Sequence, residues 1–260
     1  MNTFPAVVTA AGAATRFHPF ARAVPKEMLP LGRTPAVEHV IKECLEAGAS
    51  EVIVVTRPGD DIIPAHVRGL RGGGAPVSCV EEDLAHGYGN GTPLLTLRDR
   101  LSACETFAVA FGDDVLLGEP SPGANLAAMH RHISSGIQAV VAAQKIARSL
   151  TRSFGIIDTD AESPQRVVSI QQRPEPGTVT EPLAVVSRLM LRPSIMDLLA
   201  PTDLAHGEVD LGIATSHLAT ETPVDVHRID GRWVTVGDPQ RYAEAMNTYH
   251  QLHPAGDHHP

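Results

Sequence analysis

The chain has 260 residues, 43% apolar and 20% charged, which suits one large α/β domain or two small ones with a core that needs no disulfide staples. Its net charge of −9, from 21 basic and 30 acidic residues, argues against a nucleic-acid surface, which needs clustered Lys and Arg. Cys44, Cys79 and Cys104 are isolated, no basic-then-apolar leader opens the chain, and no apolar run approaches a membrane span, so a cytoplasmic protein without membrane or nucleic-acid partners is expected.

Residues 6–9 form a brief strand candidate. A helix follows, with Thr34 placed to cap it and Pro35 to take its first position. Val37, Val40, Ile41, Cys44 and Leu45 form its apolar stripe, and Gly48 is placed to end it. Residues 51–56 (EVIVVT), 106–111 (TFAVAF) and 139–143 (AVVAA) are apolar throughout, as in strands of a parallel sheet covered on both faces. Strand, helix, strand predicts a right-handed crossover.

The pattern changes after Arg148. Residues 154–158, 167–172 and 183–191 read as strands that extend the sheet or form a lid beside it, with Pro174, Pro176 and Gly177 marking a turn. Residues 232–236 read as a further strand and residues 239–250 as a helix. The thirteen histidines show no His-Glu-x-x-His spacing and read as solvated or structural; the terminal Gly-Asp-His-His-Pro reads as a frayed tail. No repeat or linker divides the chain, so a single domain over residues 1–260 is expected.

Directly after the first strand comes Ala11-Gly12-Ala13-Ala14-Thr15-Arg16. Small residues let backbone approach a phosphate, whose oxygens the exposed N–H groups bind. Alone, such a loop is as well an ordinary turn. Its continuation adds weight: Arg16 is followed by Pro25-Lys26-Glu27-Met28-Leu29-Pro30, which sets a second cation between prolines. Arg16 can grip outer phosphates through its planar fork, and Lys26 can sit as a compact charge beside an α-phosphate. Gly112-Asp113-Asp114 ends another apolar strand, where carboxylates face the ligand crevice of a parallel sheet.

On these residues the chain resembles the bacterial UTP–glucose-1-phosphate uridylyltransferases within the wider sugar-1-phosphate nucleotidyltransferase superfamily. The similarity continues through Ile41-Lys42-Glu43-Cys44-Leu45-Glu46-Ala47-Gly48, Phe154-Gly155-Ile156-Ile157-Asp158 and Leu183-Ala184-Val185-Val186-Ser187-Arg188. The resemblance implies an α/β fold with a Rossmann-like, mostly parallel mixed sheet and helices on both faces. Residues 1–148 would form a nucleotide-binding half, and residues 149–250 a sugar-phosphate half with the C-terminal helix. It also implies the reaction: a nucleoside triphosphate and a sugar-1-phosphate, or a sugar-like phosphate, give an NDP-sugar and pyrophosphate. Arg16, Lys26 and Asp113 would be catalytic, with Asp113 holding Mg2+ and Asp114 behind it. Ala11, Gly12, Ala13, Ala14, Thr15, Gly87, Gly89 and Asn90 would bind the nucleotide; Gly155, Gln172, Arg173 and Glu208 the sugar phosphate. Members often form dimers or tetramers, so a homo-oligomer is implied by the resemblance alone.

Four positions depart from that pattern. Ala14 replaces a glycine, Gln172 replaces a glutamate that hydrogen-bonds sugar hydroxyls, and Thr235 replaces an aspartate that often ligates a second metal. Glu82 stands where uridylyl enzymes carry glutamine. An amide matches the N–H and carbonyls of uracil, whereas an ionised carboxylate accepts only and suits the paired donors of guanine. UTP by overall resemblance and GTP by local chemistry both stand. A cytidylyl transfer is the less favoured chemistry, and a non-catalytic nucleotide-sugar binder or regulatory homologue is the alternative class.

Overall fold

The computed structural model describes residues 3–133, 136–200 and 207–254. The terminal tail, residues 256–260, lies outside the described residues. Phe4–Ala10 forms β1, Pro30–Leu31 and Thr34–Pro35 form the small hairpin β2 and β3, and Ala49–Thr56 forms β4. Val77–Glu81 is β5, Phe107–Phe111 β6, Asp114–Leu117 β7 and Ala139–Lys145 β8. Gly155–Thr159 is β9, Val167–Gln172 β10, Leu183–Leu191 β11, Val224–Arg228 β12 and Arg232–Thr235 β13. The helices are α1 (Ala36–Glu46), α2 (Ile62–Gly72), α3 (Thr92–Thr96), α4 (Arg98–Ser102), α5 (Ala124–His132), α6 (Leu211–Glu221) and α7 (Pro239–Leu252).

Nine strands make one sheet, which draws on both halves of the sequence. β5, β4, β1 and β6 lie side by side and parallel. β11 runs antiparallel beside β6, and β8 pairs β11 on its other edge, followed by parallel β12. The β9–β10 hairpin joins the N-terminal part of β11 through Ala184 and Ile156. The second half therefore both extends the sheet and adds a flap to it.

The uninterrupted apolar runs feed two cores, because successive side chains of a strand point to opposite faces. Ala6, Val8, Val52, Val54, Ala108 and Ala110 face one core, which α1, α5 and α7 cover. Val7, Ile53, Val55, Phe107 and Val109 face the other, covered by α3, α4 and α6. Both faces of the central strands are thus dry, which is why no polar alternation shows in the sequence.

The first helix begins one residue later than expected. Thr34 and Pro35 pair as β3, so Pro35 becomes the N-cap, without a side-chain cap hydrogen bond. Gly48 follows the C-cap Ala47 at φ 98°, a left-handed turn that suits glycine. Of the cysteines, Cys44 is buried, while Cys79 and Cys104 are half-buried. Among the described residues, no helix is long and apolar enough to cross a membrane.

Candidate active site

A cleft of about 640 Å3 opens where β6 ends. Phe111 closes that strand, Gly112 turns the chain, and Asp113 and Asp114 enter the cleft wall. A Cβ on Gly112 would stand 3.1 Å from the Thr9 carbonyl, so the turn is built for a side chain of hydrogen. Asp113 accepts a short ion-paired hydrogen bond from the Lys26 ammonium, which also lies 3.1 Å from Glu27 Oε1. Burial works against the Lys26 charge, but Asp113 and Glu27 outweigh it and hold the ammonium protonated well above the ordinary lysine range. Burial likewise pushes the Glu27 carboxyl up, opposed by Lys26. Gly12 makes room for this cation: a Cβ there would sit 3.3 Å from Lys26 Cε.

Asp114 is buried beneath Asp113. Its carboxylate accepts a short hydrogen bond from the Ser187 hydroxyl and another from Thr235. Burial, then the neighbouring Asp113, raises it to about 6. Two features deliver these partners. The β7–β13 pair sets Thr235 opposite Asp114, and the register break between Val185 and Leu189 frees Ser187 and Arg188 from the ladder with β8, while Arg188 stays paired with Ala110 of β6. Arg188, fully buried, then spans from the Asp114 carbonyl to Glu43 on α1.

Arg16 stands at the cleft rim with 64% of its side chain exposed, and its Nη1 lies 3.4 Å from Asp238 Oδ2. Ala14, before it, holds φ 50° and ψ 34°, the left-handed conformation for which glycine is preferred. Alanine therefore preserves the loop path that glycine would give, at a cost of roughly 1 kcal/mol. Of residues 11–15, none lines this cleft; they flank it through Gly12 and Lys26.

On the opposite side, Gly155, Gln172 and Arg173 of the β9–β10 flap line the cleft. Arg173 is also left-handed, at φ 49°, and its guanidinium has no hydrogen-bond or ion-pair partner among the described residues. Gln172 Nε2 donates to Asp210 Oδ1 at 3.4 Å. Gly212 permits this approach, since a Cβ there would come within 2.5 Å of Gln172 Nε2. Asp210 caps α6, accepting from the Ile213 N–H at 2.8 Å, and accepts from Asn90 Nδ2 at 3.1 Å. Asp210 lines the cleft, turned inward by the helix cap, while Glu208, two positions earlier, is not among the lining residues.

The 87–91 loop is likewise anchored to the segment before α6. Gly91 N–H donates to the Val209 carbonyl at 2.9 Å and Val209 N–H to the Tyr88 carbonyl at 2.7 Å. A Cβ on Gly89, at φ 142°, would overlap Val209 at 2.2 Å, so that glycine serves close packing. Gly87 and Gly89 do not line the cleft at the end of β6; Asn90 does. Glu82 lies past the end of β5, 7% exposed, its N–H donating to the Thr56 carbonyl at 2.8 Å. Burial pushes its carboxyl up to about 7.

The nucleotidyl transferase family model matches residues 5–252. The chain belongs to that family. It is 28% identical over 256 residues to UTP–glucose-1-phosphate uridylyltransferase 1 of Staphylococcus saprophyticus, covering 90% of this chain and 88% of that one. The Pseudomonas aeruginosa UTP–glucose-1-phosphate uridylyltransferase is 28% identical over 273 residues, covering 96% and 97%. The fold matches a UDP-glucose pyrophosphorylase complexed with UDP-glucose at TM-score 0.80 and 22% identity, over 96% and 99% of the two chains. A UTP-bound UGPase from Acinetobacter baumannii matches at TM-score 0.79 and 23% identity, over 98% and 95%.

For a nucleotidyl transferase the metal question is direct. Among the described residues no three His, Cys, Asp or Glu side chains converge into a metal cage. Asp113 still offers Oδ1, a hard oxygen donor in the cleft wall. Magnesium is held by one or two carboxylates plus substrate phosphates, so this donor set fits it. Asp238 and Arg241 are among the cleft residues that escaped sequence reasoning. The Asp-Pro pair signals a helix start, and that signal carries no hint that the cap faces a ligand.

Proposed function

We propose that this protein condenses a nucleoside triphosphate with a sugar-1-phosphate, releasing pyrophosphate and an NDP-sugar, in a magnesium-dependent transfer. The observation that carries the reading is the Lys26–Asp113 pair at the end of β6, in the cleft that Arg16 overhangs. The names of the relatives make UTP and glucose 1-phosphate the first pair to test.

The acceptor's phosphate oxygen forms a bond to the α-phosphorus, and the bond from that phosphorus to the leaving oxygen breaks, its electron pair departing with pyrophosphate. The attacking oxygen is already ionised at neutral pH, so the protein needs no general base. Its task is positioning and charge compensation. Lys26, locked between two carboxylates, supplies a fixed cation beside the α-phosphate. Arg16, exposed and held by one long ion pair, supplies a mobile one for the outer phosphates. Magnesium on Asp113, when bound, neutralises phosphate charge. Gln172, Asp210 and Arg173 support the acceptor side.

Two bases fit Glu82. Ionised, it presents acceptors to the paired donors of guanine; protonated, it presents one donor and one acceptor, as an amide does to uracil. Its burial favours the protonated form and so supports UTP.

The test is a panel of four triphosphates against sugar-1-phosphates, read by pyrophosphate release, with Asp113→Ala as control. Turnover in the wild type and a loss of at least about 100-fold in the variant are expected. Equal release by both proteins would refute the role given to Asp113. Binding without turnover would favour the regulatory homologue.

A further inference from the structure

Arg241 follows the α7 cap Asp238 by three residues, and its side chain enters the cleft that Arg173 also lines. Its guanidinium lies over the Phe154 ring, 4.7 Å from the centroid. Phe154 also takes the Arg173 N–H on its carbonyl at 3.1 Å. One residue thus seats both arginines, the first on its ring and the second through its backbone. A stacked guanidinium keeps its planar edge free to bind an anion.

The anion now on that edge is Asp238. Arg241 Nη1 lies 3.2 Å from Asp238 Oδ2, the same oxygen that Arg16 Nη1 approaches to 3.4 Å. A single carboxylate oxygen therefore stands between a cation of the loop after β1 and a cation of α7. The other oxygen, Oδ1, accepts the Arg241 N–H at 2.9 Å and caps the helix. The cap needs only a hydrogen-bond acceptor, so the negative charge on Asp238 is surplus to that task.

We infer that Arg241 is a further acceptor-binding residue: with Arg173 it clamps the phosphate of the sugar-1-phosphate, exchanging Asp238 for the substrate. The inference rests on the proposed nucleotidyl transfer. Two forks on one phosphate fix its orientation for in-line attack as a single point charge would not. Asp238 is then a competitor for Arg241, so removing its charge has the opposite effect from removing Arg241.

The chain has one tryptophan, Trp233, which lines the cleft and packs edge-to-face on Phe154 at 4.7 Å. Its emission, with calorimetry, follows binding without turnover. Titration with glucose 1-phosphate is expected to weaken at least tenfold in Arg241→Gln, to recover in part in Arg241→Lys, and to tighten in Asp238→Asn. UTP binding in Arg241→Gln is expected within twofold of wild type. Wild-type affinity for glucose 1-phosphate in Arg241→Gln, an equal loss for UTP, or weaker binding in Asp238→Asn would each overturn the inference, as would a wild type that does not bind glucose 1-phosphate. Pyrophosphate release over the substrate panel is read separately. A wild type that turns over while Arg241→Gln binds normally loses this inference alone.

Discussion

Arg188 and Glu43 form a two-pronged ion pair inside the protein, Nε to Oε1 at 2.7 Å and Nη2 to Oε2 at 2.6 Å. Arg188 is wholly inaccessible to solvent and Glu43 nearly so. Nη2 also donates to the Asp114 carbonyl at 2.8 Å, so the pair ties α1 to the floor of the cleft. Its guanidinium, opposed by burial but held by Glu43, stays charged far beyond any working pH.

Removing one partner strands a buried charge, which costs about 3–5 kcal/mol. Arg188→Met is expected to lose that much stability in urea denaturation, while Glu43→Leu combined with Arg188→Met loses much less. Equal losses in the single and double variants would show that the pair contributes through packing alone.

Gly212→Ala separates stability from acceptor binding. The position lies in the first turn of α6, where alanine is the better helix former by about 1 kcal/mol. The new methyl would meet Gln172 Nε2 at 2.5 Å and Asp210 Oδ1 at 3.1 Å. The flexible end of Gln172 gives way, so unfolding stability is expected unchanged or higher, while KM for the sugar phosphate rises about tenfold. The KM for the triphosphate is expected to stay within twofold.

Glu82 makes stability depend on pH. Its carboxyl is raised from 4.5 to about 7 in the folded protein, so the folded state keeps a proton that the unfolded chain gives up. Stability from this group is therefore full below pH 4.5, falls as pH rises to 7, and is level above. Glu82→Gln removes that slope and is expected to be the more stable protein at pH 8 by on the order of 2 kcal/mol, with no gain near pH 4. The same titration converts a donor–acceptor pair into acceptors only. The ratio of UTP to GTP turnover is expected to fall from pH 6 to pH 8 in the wild type and to stay flat in Glu82→Gln. A ratio independent of pH in both proteins would remove Glu82 from base recognition.

The sequence announced the elements whose signal is local. β1, β4, β6 and β8 are buried on both faces and so appear as unbroken apolar runs. β10 and β11 match their expected bounds. β7 was not legible, since four residues directly after Gly112-Asp113 gain strand geometry only by pairing with β13 more than a hundred positions away. α6 was hidden by its Gly, Thr and Ser content, which does not advertise a helix. In the site, Lys26 and Asp113 meet as their motifs suggest. The motif around residue 208 located a segment that reaches the cleft through Asp210, whose inward direction is decided by the α6 cap. Asp238 and Arg241 acquire their place only when α7 docks at the cleft.

The lacing of the 87–91 loop to the start of α6 has a thermodynamic side. Tyr88 and Gly91 bond Val209, and Asn90 takes the Leu211 N–H at 2.6 Å while donating to Asp210. The loop expected to meet the nucleotide and the cap expected to meet the sugar are therefore tied to one another. Any triphosphate that shifts the loop shifts Asp210 with it, and linkage then requires the acceptor to alter triphosphate affinity by the same factor. On the proposed reaction, the affinities of the two substrates are coupled through these four hydrogen bonds.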